Sequence, residues 1–252
     1  MTHALVWFRN DLRLADNPAL QAALRSKKTE VAVARASDAG IVVSPEEKQI
    51  LSTECPGLPI HVISSVQPVR PPGRSFTKRS GILFVGSFQA IHNVDAVTHF
   101  LKAVFPLVHR SLPELEFYIV GSCPPDSFTS EGGGKVVVTG RVDDLAPYFE
   151  RCRLSVAPLR FGAGIKGKVL ASLAFGVPVV ATPVGAEGLY LTHGRDVLCV
   201  EDDEEFSAAI CRLHTDESLW NQLSQNGRLV LQEYFSPERM ERDILGLLRS
   251  IC

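Results

Sequence analysis

Short apolar runs alternate with amphipathic stretches along the chain from residue 81 onward. Each run is four to six residues long and ends at a glycine, a proline or a polar turn, which is typical of strands buried on both faces of a parallel sheet. The pattern predicts an α/β fold with a doubly wound parallel sheet. The six predicted strands are ILFVG (82–86), EFYIVG (116–121), KVVVTG (135–140), LSVAP (154–158), VPVVAT (177–182) and DVLCV (196–200).

Helical periodicity fills the intervals between these runs. The segment 93–109 carries apolar residues three and four positions apart, and Asn93 is its predicted N-cap. A short helix is predicted at 143–152, with Asp143 as its cap. The predicted buried face of the first helix consists of Val94, Val97, Phe100, Leu101 and Val104. The helices predicted to close the chain are 204–213, 216–234 and 237–249.

The part of the chain before residue 80 is less regular. GIVVSPEEKQIL (40–51) predicts a strand and then a helix that Ser44 caps, with Glu47 three residues later as in a capping box. IHVISS (60–65) predicts one further short strand. The stretch 66–80 contains three prolines and a glycine, and it predicts an extended linker with solvated basic residues. Those basic residues are Arg70, Arg74, Lys78 and Arg79.

Composition narrows the classes of function. Apolar residues make up 45% of the 252 residues and charged residues 21%, which is ordinary for a protein with a buried core. The net charge of −2 gives no indication of nucleic-acid binding. No apolar run approaches the roughly 20 residues that span a bilayer, and the opening residues do not read as a signal peptide. The six cysteines are scattered and the histidines are not clustered, so we expect free thiols, a cytoplasmic location and no metal site.

The stretch PLRFGAGIKGKVLASLAFGVPVVATPVGAEGL (158–189) carries the candidate chemistry. Gly162 and Gly164 permit positive φ and close approach to a ligand in the loop after a strand. Lys166 and Lys168 then stand at the start of a helix. Free backbone N–H groups, the positive helix end and two ammonium groups converge there, which favours a phosphate or diphosphate. The alternative interpretation is an ordinary turn with two solvated lysines.

Three segments resemble a known enzyme family. APLRFGAGIKGKV (157–169), FGVPVVATPVGAEGL (175–189) and VGSF with HN following (85–93) are similar to the donor-binding motifs of GT-B fold glycosyltransferases of group 1, the family-4 type. The resemblance covers 80–252 and, more weakly, 29–66. It implies a Rossmann-like donor-binding domain at 81–252, a linker at 67–80, and a remnant of the amino-terminal domain at 29–66.

The resemblance also implies a substrate and a site. The substrate would be a nucleotide-diphospho-sugar, with no cofactor, and the unknown acceptor would be a polysaccharide, a lipid or a protein glycan. Peripheral contact with a membrane is compatible with such an acceptor. The residues implied to bind the donor diphosphate are Gly86, Ser87, Gly162, Gly164, Lys166, Lys168 and Glu187, and those near the nucleobase are Arg141 and Val142.

Two residues of this site have alternative interpretations, and two positions depart from the family pattern. Glu187 could equally belong to a surface turn, and Arg141 could be solvated. Many family members carry two glutamates eight positions apart where this chain has Ala163 and Ala171. The change removes a carboxylate that would accept hydrogen bonds from ribose or sugar hydroxyls, and we name no catalytic residue.

Residues 4–24, within a head at 1–28, resemble the first strand and helix of photolyases and cryptochromes. In that family a large helical domain holds flavin and DNA, and nothing in this chain is similar to that domain. A photolyase-related function is therefore the distant alternative. The nearer alternative to a glycosyltransferase is a non-catalytic nucleotide-binding or interaction module. Because the region before the linker is about half an average domain, we expect reduced transfer activity.

Overall fold

The computed structural model describes residues 5–7, 31–71, 73–131 and 133–251. A small parallel sheet in the order β1-β2-β3 precedes the linker. The helix α1 (Pro45–Glu54) lies between its second and third strands, and Ser44 caps it by accepting a hydrogen bond from the Glu47 N–H. The predicted cap is confirmed. The strands are β1 (Leu5–Trp7), β2 (Ala39–Val42) and β3 (Ile60–Val62).

The large sheet is parallel throughout and has the strand order β6-β5-β4-β7-β8-β9. Its strands correspond to the six apolar runs, so the predicted doubly wound sheet is confirmed. The order reverses between β4 and β7, which makes this pair the topological switch point. The strands are β4 (Ile82–Val85), β5 (Phe117–Val120), β6 (Val136–Gly140), β7 (Leu154–Ala157), β8 (Val179–Ala181) and β9 (Leu198–Cys199).

Helices cover both faces of this sheet. The helix that begins at Ile91 continues after His99 through a π-helical segment (Phe100–Val104), because Pro106 has no N–H to donate to a carbonyl of the preceding turn. The ring of Phe100 lies 4.7 Å from that of Phe117 between helix and sheet. The helices are α2 (Ile91–His99), α3 (Phe105–Ser111), α4 (Ser127–Glu131), α5 (Ala146–Arg151), α6 (Gly167–Ala174), α7 (Pro183–Ala186), α8 (Asp203–Thr215), α9 (Glu217–Tyr234) and α10 (Pro237–Ile251).

The last helix, α10, crosses from the large sheet to the small one. Its Leu247 is buried together with Ala39, Ile41 and Ile63. The Ser250 hydroxyl lies 3.0 Å from the His61 ring. The small sheet is therefore covered by the carboxyl end of the chain, a long-range contact that periodicity does not predict.

Two predicted helix caps are wrong. The helix α2 begins at Ile91 after Ala90, and Asn93 lies inside it with its side chain buried. The short helix α5 begins at Ala146, whose N–H donates to Asp144 rather than to Asp143. Both errors arise because several polar residues near a helix start can cap it, and only the packed structure fixes which one turns inward.

Arg79 is buried, so the prediction of a solvated charge is wrong for this residue. Its guanidinium donates to the carbonyls of Arg74 at 2.7 Å, Phe175 at 3.4 Å and Cys152 at 3.5 Å, and to that of Phe149. Several of these carbonyls belong to the carboxyl ends of α5 and α6, where the helix dipole favours a cation. Arg79 therefore ties the end of the linker to two helices of the large unit.

Candidate functional site

The switch point brings two turns together at the carboxyl edge of the large sheet. The strands β4 and β7 are neighbours, with Leu83 opposite Ser155. The turn after β4 contains Gly86 and Ser87, and the glycine-broken loop 158–166 follows β7. Because ligands of open α/β sheets bind where the strand order reverses, this edge is the expected site.

Gly86 and Gly121 let two turns approach each other backbone to backbone. The Gly86 N–H donates to the Val120 carbonyl at 3.0 Å. A Cβ at Gly121 would lie 1.6 Å from the Gly86 oxygen, so no side chain fits there. The Ser122 hydroxyl lies 3.1 Å from that of Ser87. The first turn is thus held close to the turn after β5, with Ser87 exposed at the edge.

Contacts outside the glycine-broken loop hold it in place. Gly162 and Gly164 adopt φ of 126° and 69°, which other residues rarely adopt. The guanidinium of Arg160 forms a bidentate ion pair with Asp95 of α2. The Thr182 hydroxyl, which caps α7, donates to the Leu159 carbonyl at 2.5 Å. The loop therefore has a defined backbone before any ligand binds.

The two lysines lie where the loop enters α6, as the sequence predicts. Lys166 is the N-cap residue, is 7% exposed, and donates to the Gly164 carbonyl at 2.7 Å. Lys168 reaches back across the switch point, where its ammonium donates to the Asn93 side-chain oxygen. The ammonium also lies 4.3 Å from the centre of the Phe84 ring. The sheet and both helices thus hold Lys168 in one orientation.

The electrostatics of this edge favour an anion. Burial, and then the charge of Lys166, lower the pKa of Lys168 to about 7. Burial, followed by the charges of Lys168 and Lys166, also lowers the pKa of His92. Positive groups held close together in partly buried positions repel one another, and an anion would relieve that repulsion.

His92 and Asn93 are not among the residues predicted for this site, although they are the HN of the segment 85–93 that resembles a donor-binding motif. Asn93 is predicted as a cap, but its spacing of four and seven residues from Val97 and Phe100 indicates the interior face of the helix. His92 precedes it, and its ring lies about 3.5 Å from where a Cβ of Gly162 would be. The signal was the HN pair itself, a polar dipeptide directly after the first turn.

The residues predicted near a nucleobase lie at the same sheet edge, after β6. The Gly121 N–H donates to the Gly140 carbonyl at 3.0 Å, so this turn adjoins the turns described above. Arg141 is exposed and Val142 is half-buried against an apolar cluster that includes Phe149. Ala171 of α6 packs on the same cluster. The nucleobase role of Arg141 and Val142 stays a prediction.

Glu187 lies at the end of α7 and faces the small unit. A cleft of about 490 Å³ is lined by Glu187, Gly188 and Tyr190 from the large unit and by Glu46 from α1. Gly188 backs closely onto Ser44 at the start of that helix. Glu187 therefore belongs to a cleft between the two units, and its contact with a donor stays a prediction.

The described ranges contain neither a metal-binding cluster nor a helix able to span a membrane. There, no three His, Cys, Asp or Glu side chains are grouped so that they could hold a metal ion. None of the helices within those ranges has both the length and the apolar character needed to cross a bilayer.

The lowered pKa of Lys168 predicts a pH dependence of stability. Its pKa is about 7 in the folded chain against 10.5 for the ordinary lysine, so the unfolded chain binds more protons between those values. Stability relative to a Lys168→Met variant is therefore expected to rise with pH from about 7 toward 10, by at most about 1.4 kcal/mol per pH unit. Urea unfolding of both proteins at pH 7, 8 and 9 measures this. A difference that stays constant with pH would contradict it.

Comparison with known proteins agrees with the resemblances seen in the sequence. A family model described as glycosyl transferases group 1 matches residues 79–216, more than half of the chain. A DNA photolyase model matches residues 4–50, about half of which lie outside the described residues. An uncharacterized 44.6 kDa protein in the cps region of Klebsiella pneumoniae is 23% identical over an alignment of 169 residues, and the match covers 63% of this chain and 43% of that protein.

Solved structures share the fold at low sequence identity. A mutant of S. aureus TarM, in complex with fondaparinux, alpha-GlcNAc-glycerol and UDP, superposes with a TM-score of 0.81 at 15% identity, over 96% of this chain and 50% of that chain. Anabaena HepE in complex with UDP-glucose superposes with a TM-score of 0.72 at 17% identity, over 98% of this chain and 72% of that chain. This chain spans about half or less of the Klebsiella protein and of TarM.

Proposed function

This chain belongs to the group 1 glycosyl transferases, and from that premise we propose that it binds a nucleotide-diphospho-sugar and transfers the sugar to an acceptor hydroxyl. The observation that carries the proposal is the pair Lys166 and Lys168 at the start of α6, behind a glycine-broken loop at the switch point. Transfer of a sugar breaks its bond to the diphosphate, on which negative charge then grows. Ammonium groups and backbone N–H groups fixed in advance would stabilise that charge.

Uridine is the first nucleoside to test in the donor. TarM and HepE were solved with UDP or UDP-glucose, and both share this fold. The turn after β6, with Arg141 and Val142, is the proposed position of the base. The diphosphate would then lie between Gly86, Ser87 and the two lysines.

The acceptor would enter from the cleft between the two units. Glu46 of α1 and Glu187 both line that cleft, so carboxylates of both units could accept hydrogen bonds from hydroxyl groups. A polysaccharide, a lipid glycan or a protein glycan would present such groups. We place the reaction in the cytoplasm as part of the same proposal, since the cysteines in the described ranges are free thiols.

A non-catalytic nucleotide-binding module is the second candidate. The observation that favours it is the small unit, whose described strands form a sheet of three. Such a module would keep the donor site and lack an acceptor-orienting partner. The two candidates therefore share binding and differ in turnover.

Calorimetric titration with UDP, GDP, ADP and their glucose conjugates tests the donor proposal. We expect one nucleoside diphosphate to bind with micromolar affinity, and no binding of any of the three would refute the proposal. Release of sugar from the bound donor, measured with and without oligosaccharide acceptors, separates the transferase from the module. The visible absorption spectrum of the purified protein tests the photolyase alternative, which requires a flavin.

A further inference from the structure

The side-chain amide of Asn93 connects the two halves of the switch point. Its Nδ2 donates to the Ser87 carbonyl at 2.7 Å in the turn after β4. Its Oδ1 accepts from the ammonium of Lys168, which comes from α6 and is 75 residues away in the sequence. The residue is 5% exposed. One buried group therefore touches both elements that form the candidate diphosphate site.

A buried amide is stable in this position only because both of its ends are paired. An unpaired amide removed from water is costly, and hydrogen bonds to Ser87 and Lys168 offset that cost. The helix α2, which is packed through Ala96 and Val97, fixes where the amide lies. The position of the Lys168 ammonium is consequently set by a group that is itself immobile.

The charges around Lys168 explain why its hydrogen-bond acceptor is a neutral amide oxygen and not a carboxylate. Lys166 faces the Lys168 ammonium from the start of α6, and His92 faces it from α2. The ring of Phe84 lies beneath the ammonium. An amide oxygen stabilises the ammonium without adding a negative charge that would repel a diphosphate. An ammonium has three N–H donors, so pairing with Asn93 leaves donors for phosphate oxygens.

We propose that Asn93 is a positioning residue of the donor site: it holds the Lys168 ammonium and the Ser87 turn in the arrangement that binds the donor diphosphate. The inference rests on the proposed donor binding and adds a residue to it. Asn93 acts through Lys168 and the turn, and not through contact with the reacting atoms.

Three variants test this role. Asn93→Ala removes both hydrogen bonds, and Asn93→Asp keeps the shape but replaces the neutral oxygen by a carboxylate. Asn226→Ala is the matched control, because Asn226 donates to the Arg195 carbonyl at 2.7 Å on the exposed surface of α9. The first measurement is the pKa of Lys168 without nucleotide, from lysine side-chain carbon NMR with the signal assigned by Lys168→Arg. The second is UDP binding by calorimetry between pH 6 and 9.

We expect Asn93→Ala to lower the pKa of Lys168 below that of the parent and to weaken UDP binding about tenfold at pH 7. Asn93→Asp is expected to raise the pKa of Lys168 and still weaken UDP binding, because its carboxylate repels the diphosphate. The control should change neither quantity. If Asn93→Ala does not fold, Asn93→Asp decides alone.

The outcomes separate this inference from the proposed function. Failure of the parent to bind UDP, GDP or ADP would overturn both. A parent that binds UDP, with Asn93 variants that match it in affinity and in the pKa of Lys168, would overturn only the role of Asn93. If the Asn93 variants lose no more UDP affinity than Asn226→Ala does, the role of Asn93 is likewise overturned.

Discussion

Replacing Lys168 by alanine is expected to weaken UDP binding roughly 10- to 100-fold at pH 7, and Lys166→Ala should have an effect of the same size. A charge-assisted hydrogen bond contributes about 1.5–3 kcal/mol, which corresponds to that range of affinity. Both ammonium groups lie at the start of α6 in partly or fully buried positions, so water cannot easily replace them as partners of the diphosphate.

Calorimetry of the two variants and of Lys78→Ala provides the comparison, because Lys78 is an exposed lysine of the linker region. The Lys78 variant should bind as the parent does. A further control uses pH: the parent should lose affinity as pH rises above about 7, where Lys168 loses its proton. The Lys168→Arg variant should lose less UDP affinity over the same rise in pH, since arginine keeps its charge. If both alanine variants bind as tightly as the parent, the diphosphate lies elsewhere.

Replacing Arg79 by methionine is expected to lower the free energy of unfolding by about 3 kcal/mol. The substitution leaves buried carbonyls at the ends of α5 and α6 without their donor, and each unsatisfied group costs about 1–3 kcal/mol. The side chain of Arg79 is 2% exposed, so solvent cannot take its place without a rearrangement. The linker end should loosen from the large unit as well.

Urea unfolding of Arg79→Met and Arg74→Met measures this effect. Arg74 is the matched control, because it is a linker arginine that forms an exposed ion pair with Glu150 at 3.5 Å. Exposed pairs contribute about 0–1 kcal/mol, so Arg74→Met should unfold at nearly the parent midpoint. Equal midpoints for the two variants would show that the buried contacts of Arg79 contribute no stability.

Much of the fold follows from the sequence because its signals are local. Six apolar runs with helices between them predict the strands and their parallel arrangement, since a parallel strand requires a crossover before the next one begins. The glycine-broken loop and its two lysines can likewise be predicted, because they lie in one continuous stretch, 158–168. In each case the physical cause acts within a few residues and is therefore present in the local sequence.

Tertiary structure alone decided the burial of three side chains, two of them polar and one apolar. The sequence predicts Asn93 as a helix cap and Arg79 as a solvated charge. Each is buried, because its partners, Lys168 for one and Phe175 for the other, come from distant parts of the chain. Leu247 of α10 covers a sheet formed some two hundred residues earlier. A buried polar group is stable only where packing supplies its partner, and periodicity does not carry that information. The sequence determined the elements and the glycine-broken loop with its two lysines, and packing determined which side chains lie beside them.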